Sequence, residues 1–139
     1  DADAGTVTAA YGTATAKRLA DTTWSQDDED AGDLPDDKSV GDVKTTGLKT
    51  NHKNHFNVEA AGLLAPTDWY VVKATEVSDY SVPSAVTTYR AAVRTKVNAM
   101  ETAIDNCANV NALITLLTYT EQDDGTVTRP LGEFPDKVV

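Results

Sequence analysis

Cysteine occurs once, at Cys107, so the chain has neither an intramolecular disulfide nor a tetrathiolate zinc site. Methionine also occurs once, and aromatic residues make up only 6% of the 139 residues. No apolar run approaches the roughly 18 residues needed to cross a bilayer. The opening residues, DADAGTVT, have neither the basic start nor the apolar stretch of a signal peptide. The chain is therefore expected to be soluble and made in the cytoplasm. Basic residues are outnumbered 12 to 22, and the net charge of -10 repels a phosphate backbone, which argues against direct nucleic-acid binding.

Large aliphatic and aromatic side chains concentrate after Val58, which places the core in the second half. Four regions follow. Residues 1–24 are rich in Thr and Ala, and TVTAAYG suits a short strand. Residues 25–45 include DDEDAGDLPDDKSVGD, whose acids, glycines and proline offer little to bury, so an acidic loop or linker without regular secondary structure is expected. Residues 46–120 form a helical domain, and 121–139 form a turn followed by an extended tail along a surface. The fold class is mainly α with minor β: a helical, hairpin-like C-terminal core and an extended acidic N-terminal half.

Within the helical domain, Leu48, Phe56, Ala60 and Leu63 or Leu64 recur at helical spacing, which predicts a helix from about Thr46 to Leu64. Pro66 ends it, and Thr67 stands as the N-cap of a second helix starting at Asp68-Trp69. Pro83 sets a turn, and Ser84 is placed to cap a long amphipathic helix. Its apolar stripe is Val86, Tyr89, Val93, Val97, Met100, Ile104 and Cys107, in steps of three and four, with Thr88, Arg94, Lys96 and Glu101 facing solvent. That stripe suits either Val110, Leu113, Ile114 and Leu117 of a following helix or copies of itself.

His52, His55 and Glu59 share one face of the first helix, but a single helix leaves the rest of a metal shell unnamed, and a polar stripe accounts for them. Lys53 follows His52 where a zinc protease has Glu. The acidic run is out of register for a calcium loop: counted from Asp28, Asp33 falls where Gly belongs, and counted from Asp27, Lys38 falls at the final bidentate position. No nucleophile elbow, phosphate loop or dinucleotide fingerprint occurs, and Cys107 on the apolar stripe reads as a buried structural thiol. No catalytic residue, metal or cofactor is assigned. The basic group Arg90, Arg94 and Lys96, with Lys73, is suited to pair with the acidic loop of the same chain or of a neighbour.

The segment TDWYVVKATEVSDYSVPSAVTTYRAAVR, Thr67 to Arg94, resembles a motif of phage tail-fibre and tail-fibre-assembly proteins. In that motif an acidic-Trp helix start, a charged turn and a proline precede a helix opening on Tyr-Arg and an Ala-Leu/Val-Arg triplet. The similarity continues weakly through Leu117. The closing TRPLGEFPDKVV is similar to the ends of uncharacterised virion proteins of marine phages. The resemblance implies a non-enzymatic structural protein of a tailed-phage particle, made in the host cytoplasm and located in the virion. Its implied partners are other virion proteins, tail or fibre subunits, and further copies of itself. Trp69, Tyr89, Arg90 and Arg94 are the interface candidates. A tail-fibre assembly chaperone and a capsid decoration protein are the competing roles.

Overall fold

The structure, a computed structural model, describes residues 17–138. The strand expected in TVTAAYG lies outside the described residues. The fold is mainly α with minor β: the described residues are 52% helical, and the strands among them are short and antiparallel. Two strands, β1 (Thr22–Thr23) and β2 (Val43–Thr45), bracket a short helix α1 (Gln26–Asp30). Then come α2 (Leu48–Leu64), a 3-10 turn (Ala65–Thr67), α3 (Asp68–Glu76), α4 (Ser84–Asp105), α5 (Val110–Leu117) and the hairpin β3 (Thr120–Glu121) with β4 (Val127–Thr128).

The core forms where α2 and α4 lie antiparallel. Asn57 Nδ2 donates to Glu101 Oε1 at 2.7 Å near one end, and the Tyr89 hydroxyl donates to the Leu63 carbonyl at 3.3 Å near the other. Lys53 pairs with Asp105 at 2.8 Å, and the ammonium of Lys49 donates to the Asp105 carbonyl. All seven residues of the predicted α4 stripe, from Val86 to Cys107, are buried. All but Val86 form one core with Phe56 and Ala60 of α2, so the sequence expectation is corrected on the partner: α5 contributes Leu113 to the core but leaves Ile114 55% exposed. An eight-residue helix spans too little of the 22-residue stripe to cover it, whereas α2 is nearly as long.

The start of α2 depends on a close approach. Leu48 and Lys49 donate their N–H groups to the carbonyls of Arg18 and Leu19, and the Gly47 N–H donates to Asp21 Oδ1 at 2.6 Å. Three donors that a helix N-terminus leaves unsatisfied are thus taken up by the incoming chain. The Gly47 N–H, with help from Thr50, holds the Asp21 carboxyl below its ordinary range. A Cβ on Gly47 would stand 2.3 Å from the Ala20 carbonyl carbon, which is backbone and cannot swing away. Gly47→Ala is therefore expected to destabilise the fold by about 1–3 kcal/mol through forced backbone displacement. Denaturant titration checks this against Gly62→Ala, in open space on the same helix, which should instead stabilise by about 0.5–1 kcal/mol because alanine is the better helix former.

The segment expected to be an irregular acidic loop is corrected at α1 and β2. Ser25 caps α1 through its hydroxyl, which accepts from the Asp28 N–H, while Asp28 accepts from the Ser25 N–H. This reciprocal capping, with Asp27, Asp28 and Glu29 at the positive end of the helix, stabilises one turn of an otherwise poorly helical sequence. Trp24 and Asp42, and Trp24 and Gly41, exchange backbone bonds where β1 meets β2. The acidic segment is thereby a closed excursion, not an extended arm.

The C-terminal segment turns at Asp124-Gly125 as expected and departs from expectation in what it buries beyond the hairpin. Gly125, at a φ of 80°, turns the β3–β4 hairpin, aided by Asp124, whose carboxylate accepts from the Thr126 N–H and hydroxyl. The chain then sinks Leu131 into the core, 4% exposed, with its N–H donating to the Leu116 carbonyl. Lys96, expected to face solvent freely, is half-buried and donates to the Leu131 carbonyl at 2.7 Å. The Arg129 guanidinium lies over the rings of both Phe56 and Tyr119 and pairs with Glu133 at 2.8 Å.

Candidate interaction surface

Pro66 in the 3-10 turn ends α2, because it has no N–H to donate and its ring disfavours a continuous helix. Thr67 follows, fully buried, but its hydroxyl is not the expected N-cap of α3. It donates to the Leu64 carbonyl at 2.7 Å and accepts from Arg90 Nη1 at 2.6 Å. The same Arg90 nitrogen donates to the Leu64 carbonyl at 3.0 Å and pairs with Asp68 Oδ1 at 2.8 Å. One guanidinium on α4 therefore fastens the end of α2, the turn and the start of α3.

The helix so fastened is turned outward. None of the nine α3 residues is buried. Trp69 is 51% exposed and Val72 53%, with Val71, and Val77 just beyond the helix, also exposed. The Trp69 and Tyr70 rings stack with centroids 3.8 Å apart. The Lys73 ammonium lies 4.4 Å from the Tyr80 ring centroid and 5.9 Å from that of Trp69. Trp69 and Val72, three apart on the helix, thus lie on one exposed face with the Lys73 cation beside them. Contiguous exposed apolar patches, unlike scattered apolar residues, mark interaction sites.

The structure separates the four interface candidates. Trp69 is on the exposed face, and Arg94 is exposed on α4. Tyr89 and Arg90 are corrected: both are buried in the chain's own core, at 4% and 9% exposure. Their polar ends reach carbonyls at the end of α2, so they position the surface without forming part of it. The basic group is likewise dispersed, with Arg90 turned inward, Lys96 on the tail and Lys73 on the aromatic rings. Its expected pairing with the acidic loop of the same chain is replaced by that of Lys44 with Asp28, the Lys44 ammonium also lying 4.3 Å from the Trp24 ring centroid.

Asp28 is held down to about 2 from an ordinary 3.8, first by the hydrogen bond from Lys44 and then by those from Ser25. Because the folded value is the lower one, its contribution is fully present above about pH 4 and is lost as the pH falls through about 2. The Ser25 amide shift, followed by NMR, should titrate with a midpoint near 2, and Lys44→Met should move that midpoint up toward 3.8. The same midpoint in both proteins would show that Lys44 does not hold the carboxylate.

His52 is half-buried and His55 exposed, and burial, then the neighbouring His55, lowers the His52 pKa. Glu59 is exposed. Among the described residues no group of three His, Cys, Asp or Glu side chains is placed to hold a metal ion. The Cys107 thiol is buried and donates to the Ala103 carbonyl at 3.4 Å. A groove of about 690 Å³ lies between the β1–β2 clasp and the start of α2, lined by Lys17, Arg18, Thr22, Lys44, Thr45 and Asn51. No helix among the described residues is long and apolar enough to cross a membrane. No protein-family model, curated protein or solved structure matches the chain.

Proposed function

We propose that the chain is a structural protein of a tailed-phage particle, associated with the tail or tail fibre, that acts through protein–protein assembly instead of catalysis. The observation that carries this proposal is the outward-turned face of α3 around Trp69 and Val72. The segment resembling tail-fibre and tail-fibre-assembly proteins, Thr67 to Arg94, coincides with that face, the turn behind it and the Arg90 clasp. Its partners are other virion proteins and further copies of itself, and no cofactor is assigned.

The test is incorporation. Trp69→Asp with Val72→Asp places two charges on the face while leaving the core untouched. Loss of an aromatic anchor of about 2 kcal/mol weakens binding roughly thirtyfold, so the variant should be depleted from particles to that order while its circular dichroism stays that of the parent. Undiminished incorporation of the folded variant would contradict assembly through this face.

A further inference from the structure

We infer that α3 is the seat of a two-fold contact between two copies of this chain, the two α3 helices lying antiparallel. The inference rests on the assembly role proposed above and names one partner for its surface. Trp69, Val72, Lys73 and Glu76 recur at spacings of three and four and so share one stripe of α3, which ends where Val77 turns to extended backbone. A helix of nine residues is marginal in water by itself, and this one has no fully buried residue, only Tyr70 and Ala74 being half-buried.

The charges on the stripe choose the occupant. Lys73 and Glu76 are opposite in sign and three apart on one helix, yet no ion pair joins them. Lys73 lies over the aromatic rings instead, and Glu76 is exposed with no side-chain partner among the described residues. An antiparallel two-fold approach brings Lys73 against Glu76 of the second copy and sets Trp69 and Val72 beside the segment that follows its α3. The charge pair then occurs twice, because a two-fold interface uses the same patch on both subunits. A parallel two-fold approach would set Lys73 against Lys73, so the charge pattern favours the antiparallel one. One short helix supplies much less than the roughly 800 Å² per partner of a standard interface, and each copy has a net charge of -10. The free dimer is accordingly weak and requires salt to screen the mutual repulsion.

Sedimentation velocity at about 0.15 M salt tests this on the intact chain. The mean mass of the parent protein should rise toward that of a dimer between micromolar and millimolar concentration. Lys73→Glu alone and Glu76→Lys alone each set like charges against each other twice, and each should associate roughly tenfold or more weakly. Mixing the two single variants restores both charge pairs and should restore dimers, as should the double exchange in one chain. Both positions are exposed, and circular dichroism verifies that the variants fold. A parent protein monomeric throughout, single variants that dimerise normally, or a mixture that fails to dimerise would each overturn the inference. A monomeric chain that still enters particles would overturn it while leaving the assembly role standing.

Discussion

Ile104→Ala is expected to lower the unfolding free energy by about 2–5 kcal/mol. Ile104 is fully buried among Met100, Cys107 and the rest of the α4 stripe, and truncation loses both the transfer of its methylenes from water and the packing around the void left behind. The control is Ile114→Ala, the same substitution on a side chain that is 55% exposed. It should change stability by about 0.5 kcal/mol or less. Denaturant titrations of both variants check the contrast. Equally mild effects would mean that α4 is not the centre of the packed core.

Arg90→Met is expected to cost about 2–3 kcal/mol, with the damage directed at α3. The methionine retains the length of the stem but withdraws the donor from the Leu64 carbonyl and the Thr67 hydroxyl, both at the buried end of α2. The Asp68 pair adds little to this, because the side chain of Asp68 is 59% exposed and solvent screens it. Hydrogen exchange should speed up across Asp68–Glu76 well before it does in the middle of α4, since the clasp holds one short helix onto a longer one. Arg94→Met, on the exposed side of α4, is the neutral comparison. Unchanged protection of α3 in Arg90→Met would show that the turn holds itself.

The long helix was legible because its period runs over 22 residues, so seven apolar positions vote for one face. Its partner was not legible, since a stripe records which side is buried and not what covers it. Arg90 looks from sequence like a surface group with a charge to offer, and Tyr89, though on the apolar stripe, carries a hydroxyl whose partner the stripe does not show. Their polar ends meet carbonyls 26 positions away, which no local pattern encodes. The helix α1 did have a signature, Ser25 followed three residues later by Asp28, but the acidic composition around it outweighed the capping pair. Leu131 is a single apolar residue between Pro130 and Gly132, and one residue has no period. Of the candidate surface, Trp69, Val72 and Lys73 stand three and four apart in the sequence, the spacing of one helix face. That the face points outward depends on the Arg90 clasp and the Thr67 turn, which are tertiary features.

Membership of a tailed-phage particle is the central proposal, and quantitative mass spectrometry of gradient-purified phage particles from cultures that produce this chain tests it most directly. The structural role predicts peptides of the chain in a fixed ratio to the tail or fibre proteins, retained through repeated purification. Peptides abundant in the infected-cell lysate but absent from the purified particles would contradict it and identify the chain as a factor that leaves after assembly.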